Sequence, residues 1–365
     1  MWPYIALFAF FAVGALLTVR RAIAPQFAGQ VMDAPQVRTS AGPLFALGLI
    51  VVAVLIGLRY EVGADYDTYV ELFRRSRLLS FNSLIELGDW GYYLTSRVLS
   101  ENGGSLWQLN SLCAVLFCWG LYRLARTQPE PWLVLVVAIP YMITVVAMGY
   151  TRQATALGIL MMGLAAVLRG AGLFRFALYV AVAAMFHRSA VIVLPLMMFV
   201  LPRSRATDVL LLAALTLSLY VLFLQDAVEQ FQRGYLKSGY QSQGAAIRIA
   251  QLALAALLYF AARARLGFSE IEGRLWRNYS LVALAMALVL AISPSSTAVD
   301  RVSLYLLPLQ LAIIARLPLA LTNPVLARLL VVTYSGLVLF VWLNYAAHAK
   351  FWLPYQTIFA AEGRS

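Results

Sequence analysis

Apolar stretches of roughly 17–25 residues recur down the whole chain, separated by short polar connections. A helix of about 20 such residues, rising 1.5 Å each, crosses a hydrocarbon core of about 30 Å. The pattern predicts spans over 3–18, 42–58, 106–121, 132–148, 151–168, 173–186, 190–201, 209–224, 247–262, 279–292, 302–314 and 325–345. These make about twelve spans of an all-α, polytopic integral membrane protein, a single transmembrane domain over 1–365. Two joints are tight: Gly149–Tyr150, and the His187-Arg188-Ser189 run. Runs joined so closely are candidates for broken or re-entrant helices.

Two polar connections interrupt the pattern. The first, 59–105, opens on RYEVGADYDTYVELF (Arg59–Phe73). Seven of the sixteen acidic residues lie between Arg59 and Glu101, beside five arginines and several tyrosines. Joining two helices needs only a few residues, so a long, charged, aromatic connection is expected to fold over a site. The second, 225–246, contains RGYLKSGYQSQG (Arg233–Gly244). Its glycine, tyrosine and glutamine suit either a loop that grips sugars or a solvated interfacial loop.

Composition agrees with a membrane protein. The chain is 62% hydrophobic and 12% charged, about half the charged share of a soluble domain. That is too little polar surface to cover a body in water. The net charge of +12 falls mainly in the connections. Fifteen of the 28 basic residues, against five acids, lie in alternate connections that include Arg20, Arg123, Arg169, Arg263 and Arg316. The positive-inside rule places that set in the cytoplasm, and both termini and the 59–105 connection outside. No basic–aromatic patch or zinc-finger spacing supports nucleic acid. No Walker sequence, dinucleotide fingerprint or soluble catalytic domain is visible. Cys113 and Cys118, five apart in one apolar run, read as small buried hydrophobes. The start of the chain lacks the basic residues of a cleaved signal.

The expected outer ends carry their own pattern. Each delivers a polar group: Arg59; Arg152; His187 with Arg188; Arg248; Asp300 with Arg301. Arginines at helix ends often snorkel to water. A set kept against the positive-inside bias points instead to an anionic ligand held between helices. Arginine stays charged and offers a planar fork that matches phosphate, which suits a diphosphate on a lipid. If the diphosphate leaves, such donors stabilise the charge that develops on it. Asp65 and Asp67, with Tyr66 and Tyr69, are candidates to orient or deprotonate a sugar hydroxyl. Asp65 also has Arg59 and Arg152 as candidate ion partners. Two carboxylates at i and i+2 are too few for a metal site, and none is expected. His187 is a candidate donor or acceptor beside an acceptor hydroxyl. His348, in a mobile-looking tail region, ranks below it.

Several short motifs resemble the EpsG family, within the broader group of Wzy-type polysaccharide polymerases. They are RYEVGADYDTY (Arg59–Tyr69), GDWGYYLTSRVL (Gly88–Leu99), GYTRQATALGI (Gly149–Ile159), FHRSAVIVLP (Phe186–Pro195), DRVSLYLLPLQ (Asp300–Gln310) and a late aromatic segment ending WLPY (Trp352–Tyr355). The resemblance implies a bacterial inner-membrane enzyme with a GT-C-like fold. It would join undecaprenyl-diphosphate-linked oligosaccharide repeats at the periplasmic face, without cofactor or metal. Its implied partners are those lipid-linked glycans, membrane lipids, and a chain-length regulator and flippase of the same pathway. By motif it points to Arg59, Asp65, Arg152, His187, Arg188, Asp300 and Arg301. Arg59, Asp65, His187 and Asp300 are the catalytic candidates, with the choice of base between Asp65 and His187 open. The substrate and diphosphate candidates are Arg152, Arg188, Arg248, Arg301, Asp67, Tyr66, Tyr69, Tyr92, Tyr240, Gln153 and Tyr305. Two rivals share the features. One is an O-antigen-ligase-like transferase; the other is a lipid-linked glycan transporter, which needs a cationic path through the membrane.

Overall fold

The computed structural model describes residues 1–17, 42–197, 200, 210, 213–218, 242 and 244–359. It is helical throughout; an isolated bridge between Arg59 and Thr357 is the only β pairing among the described residues. The elements before the tight His187 joint are α1 (Trp2–Leu17), α2 (Pro43–Gly57), α3 (Tyr66–Ser76), α4 (Phe81–Glu86), α5 (Trp90–Glu101), α6 (Leu106–Ala125), α7 (Pro131–Ala147), α8 (Thr151–Val167) and α9 (Leu173–Phe186). A 3₁₀ segment (Arg188–Met197) follows. Then come α10 (Ala245–Ala262), α11 (Glu270–Ile292), α12 (Ser296–Ala320) and α13 (Pro324–Tyr345). By length and composition, α10 to α13 can each cross a membrane. Helices α1, α2, α7, α8 and α9 are apolar but shorter. The expected run at 209–224 and the loop at 225–246, with its Tyr240, lie mostly outside the described residues.

Burial sorts the helices into an inner and an outer set. Every residue of α7 is buried, as is nearly all of α8. Helix α12 is buried along most of its length, whereas α11 and α13 leave most of theirs uncovered. The outer helices expose apolar faces, such as Ile50 and Val54 of α2, Leu288 of α11 and Leu337 of α13. An apolar face left open is what a helix shows to lipid. Between inner helices the contact is close. A Cβ built on Gly120 of α6 would lie 1.8 Å from the Gly158 carbonyl oxygen of α8. Small residues let two backbones approach this way where no hydrophobic effect drives helices together.

Three apolar runs are not regular α-helices. The second half of α7, Ile139–Ala147, is a π-helix. Pro140 has no N–H, which disturbs the i→i−4 ladder there, and Thr144 Oγ1 donates to the Ile139 carbonyl at 2.8 Å. The run expected at 190–201 is the 3₁₀ segment, with Pro195 inside it. In α12 a 3₁₀ turn, Leu304–Leu306, separates Ser296–Ser303 from Leu307–Ile314.

The 59–105 connection folds into α3, α4 and α5 around a small core of its own. Tyr69, Phe73, Leu84, Tyr92 and Tyr93 pack there against Leu109 and Cys113 of α6. Cys113 and Cys118 are buried and free. At the opposite end of α6, buried ion pairs tie the helices together. Arg328 of α13 donates to Glu130 at 2.8 and 3.1 Å. Arg316 of α12 bonds Gln128 at 2.9 Å, pairs with Glu272, and lies 4.4 Å over the Phe268 ring.

The tail that holds His348 is docked, contrary to its mobile look in sequence. His348 itself is exposed, but Trp352 is 2% exposed and its indole donates to the Thr144 carbonyl at 2.7 Å. Tyr4 donates to the Trp352 carbonyl at 3.0 Å, and Tyr355 to the Leu55 carbonyl at 2.8 Å. The aromatic run therefore anchors the tail through large buried rings, which outweigh the ordering entropy of a polar segment. Trp352→Ala is expected to cost about 3–5 kcal/mol, the usual range for removing a buried aromatic. Thermal unfolding in detergent measures it; a melting temperature equal to wild type would show that the tail is dispensable.

Candidate active site

The tight joints and helix starts expected on the outer face meet at one end of the molecule, and Asp89 sits at their centre. Gly88 and Asp89 both adopt left-handed backbone, at φ +67° and +48°. Glycine takes this conformation freely, and aspartate tolerates it better than most residues. The turn points the Asp89 carboxylate inward at the start of α5, 4% exposed. Its Oδ2 accepts from Arg152 Nη1 at 2.8 Å and lies 3.1 Å from His187 Nδ1. Its Oδ1 accepts from the Arg188 backbone N–H at 2.8 Å. Burial pushes this carboxyl up, but His187, Arg152 and the Arg188 N–H together hold it below the usual carboxylate range. Arg152 also reaches the Tyr93 hydroxyl at 3.2 Å. The Arg188 side chain lies against Gly88, where a Cβ would come within 2.8 Å of Nη1.

A second carboxylate organises the neighbouring helix starts. Asp300 of α12, 3% exposed, accepts from Arg248 Nε at 2.8 Å and from Arg248 Nη2 at 2.5 Å. Ser242 Oγ adds a third bond at 2.9 Å. The two-point fork fixes Arg248 against α12, and its guanidinium lies 5.4 Å over the Tyr141 ring.

The start of α8 links the two clusters. Gln153 donates to the Arg301 carbonyl at 2.7 Å. The Arg301 guanidinium stacks 3.8 Å over the Tyr150 ring, with Asp65 Oδ2 at 3.9 Å. Ser189 and Tyr305 hydroxyls bond at 2.9 Å. Tips from α5, α8, α9, α10 and α12 thus converge.

The expected residues take different places within this convergence. Arg152, His187, Arg188, Arg248, Asp300, Arg301, Gln153 and Tyr305 form it, and Asp65 borders it with its side chain 41% exposed. The ion partner of Arg152 is Asp89, and Asp65 lies instead beside Arg301. Arg59 is 1% exposed. Its Nη2 donates to Thr151 Oγ1 at 2.7 Å, its Nη1 to the Ile56 carbonyl, and its Nε has no hydrogen-bond partner. It braces α2 against α8 from beneath. Tyr69 and Tyr92 are buried ring against ring at 5.9 Å, while Tyr66 is half-buried and Asp67 exposed. Tyr240 lies outside the described residues. Among the described residues no three His, Cys, Asp or Glu side chains are grouped to hold a metal.

Asp89 is the site residue that the sequence pattern did not single out, although it stands in the quoted GDWGYY motif. A signal was present: His187, Arg152 and Arg188 gathered in one layer need a buried anion to offset them.

No curated protein and no solved structure matches the chain. The EpsG family model matches residues 44–357. That match takes in the 59–105 connection, both ion clusters and the tail as far as Thr357, so the chain belongs to the EpsG family.

Proposed function

We propose that this chain is a polysaccharide polymerase joining undecaprenyl-diphosphate-linked repeat units by glycosyl transfer at the periplasmic face of the bacterial inner membrane. Membership of the EpsG family supports a role in polysaccharide biosynthesis. What carries the chemistry is the convergence of Arg152, His187 and Arg188 around the buried Asp89, with Arg301 joined to the same end through Gln153 and Tyr150. In this reading the shorter apolar helices also cross the bilayer, giving about twelve spans of GT-C type. The partners are the lipid-linked glycans, surrounding lipids, and the chain-length regulator and flippase of the pathway.

The growing chain on its lipid diphosphate is the donor, and a hydroxyl of the incoming repeat is the acceptor. His187 supports the role of base better than Asp65, because Asp89 holds its Nδ1 and leaves Nε2 to take the hydroxyl proton. The acceptor oxygen bonds to C1 while the C1–O bond to the diphosphate breaks, and that electron pair stays on the diphosphate. One displacement inverts C1. Arg152 and Arg248, each held on a carboxylate, position the helix tips. Arg188 and Arg301 meet the leaving diphosphate. Helices α3 to α5 cover the site and keep water from competing with the acceptor.

The transporter reading needs charge along the membrane path. Between Asn110 and Tyr122 of α6, and between Gln153 and Val167 of α8, there is no charged residue. Purified protein with lipid-diphosphate repeats alone is expected to yield a ladder of lengthened glycans without nucleotide sugar or ATP. Arg188→Ala and Arg301→Ala are each expected to slow it by about 10²–10³-fold. A single transfer product in place of the ladder would favour the ligase-like reading, and full activity in both variants would end this mechanism.

A further inference from the structure

A large cavity lies at the end of the molecule opposite the candidate active site. It has a volume of 1540 Å³ and is bordered by α2, α6, the turn after α8, and the α10–α11 connection. The two sites sit at the two ends of α8, whose 17 residues separate them by about 25 Å at 1.5 Å per residue.

The cavity has two kinds of wall. One is cationic: Arg123 and Arg126 come from the end of α6, and Arg263 and Arg265 from the turn after α10. The acids at the rim are already engaged, Glu270 with Arg274 and Glu272 with Arg316. None of those four arginines has an ion-pair partner among the described residues. Aromatic rings hold two of them in place. Trp119 and Tyr122 stack at 5.5 Å, Arg123 lies 6.0 Å over Trp119, and Arg126 lies 5.5 Å over Tyr122 and bonds its hydroxyl at 3.0 Å. The other wall is apolar and runs along α2 and α6 through Ile50, Ala53, Val115 and Trp119. Ile50 is 59% exposed, Val115 56% and Trp119 50%. They belong to the outer faces that the helices show to lipid.

We propose that this cavity binds an anionic phospholipid from the adjoining leaflet. The phosphate sits among Arg123, Arg126, Arg263 and Arg265, and an acyl chain lies along the α2–α6 wall. Uncompensated arginines demand an anion, and their forks match phosphate oxygens. A free phosphate would leave the apolar wall and most of the volume unused. A zwitterionic headgroup would bring a cation of its own against the arginines. The site is independent of the reaction at the other end, and its ligand is a resident lipid of the bilayer.

The test uses the full chain, purified and stripped of lipid in detergent. Phosphatidylglycerol, phosphatidylcholine and inorganic pyrophosphate are titrated separately and read by native mass spectrometry. Wild type is expected to take up phosphatidylglycerol saturably and at least about tenfold more tightly than phosphatidylcholine. Arg123→Ala/Arg126→Ala and Arg263→Ala/Arg265→Ala, on separate elements, are each expected to weaken it by about tenfold or more. Arg75→Ala, an exposed arginine paired with Glu71 on α3, is expected to bind as wild type does. If one double variant does not fold, the other still decides. Undiminished binding in the folded double variants overturns the proposal. So does equal affinity for phosphatidylcholine, and so does pyrophosphate binding as tightly as the lipid, which would make this a soluble-anion site.

Discussion

Asp89→Asn is expected to lower polymer formation on the order of 10³-fold while leaving the protein folded. The amide keeps an acceptor for the Arg188 N–H but removes the charge that Arg152 and His187 share. Without that charge the imidazole loses the partner that fixes its tautomer and orientation; in catalytic triads this loss is worth about 10⁴-fold. Asp89→Ala goes further. It leaves the Arg152 guanidinium, the His187 ring N and a backbone N–H facing an empty, nearly buried position, a loss of about 3 kcal/mol or more in stability. Activity assays on the asparagine variant and thermal unfolding of the alanine variant separate the two effects. Wild-type polymerisation by Asp89→Asn would remove His187 as the base. Acid tests the same group. The Asp89 carboxyl titrates lower in the fold than its usual value of about 4, with burial opposing and its partners prevailing. Its contribution to stability is thus complete above that usual value and disappears as pH falls through the lower, folded one.

The second large effect involves no charged side chain directly. Gly120→Val is expected to destabilise by more than about 3 kcal/mol, beyond the usual 1–3 kcal/mol of overpacking. The obstacle is backbone: the new Cβ would meet the Gly158 carbonyl oxygen at 1.8 Å and its carbon at 2.5 Å. A side chain could rotate away, whereas here α6 and α8 must move apart. That shift disturbs the Arg59–Thr151 bond at one end and the arginine-lined cavity at the other. Gly273→Ala in α11 is the control. Nothing lies within 4 Å of a Cβ there, and alanine in a helix is worth about 0.5–1 kcal/mol over glycine. Equal thermal stability of Gly120→Val and wild type would show that the two helices are not held at this distance.

Much of this arrangement could be read from the chain and some could not. Apolar run length is a local property, so α1, α2, α6, α8 and α13 begin close to where the pattern predicts. Run length does not report which hydrogen-bond ladder a segment adopts. Pro140 and Pro195 were the only local marks of the π-helix and the 3₁₀ segment. The site followed the same division. That cationic tips gather at one end was legible, because charge alternates between connections. Which acid neutralises them was not: Asp89 meets Arg152 and His187 across 63 and 98 residues of sequence. Arg59 shows the converse. In sequence it resembles the other helix-end arginines, and only the fold shows it sealed between α2 and α8.

The docked tail has a bearing on how the protein is made. Trp352, Tyr355 and Thr357 leave the ribosome after every group they fasten: Tyr4, Leu55, Arg59 and Thr144. Until then α1, α2 and the π-turn of α7 lack their shared latch, so the nascent chain waits half-assembled for this segment. A chain cut short before Trp352 would strike the first helix as well as the tail.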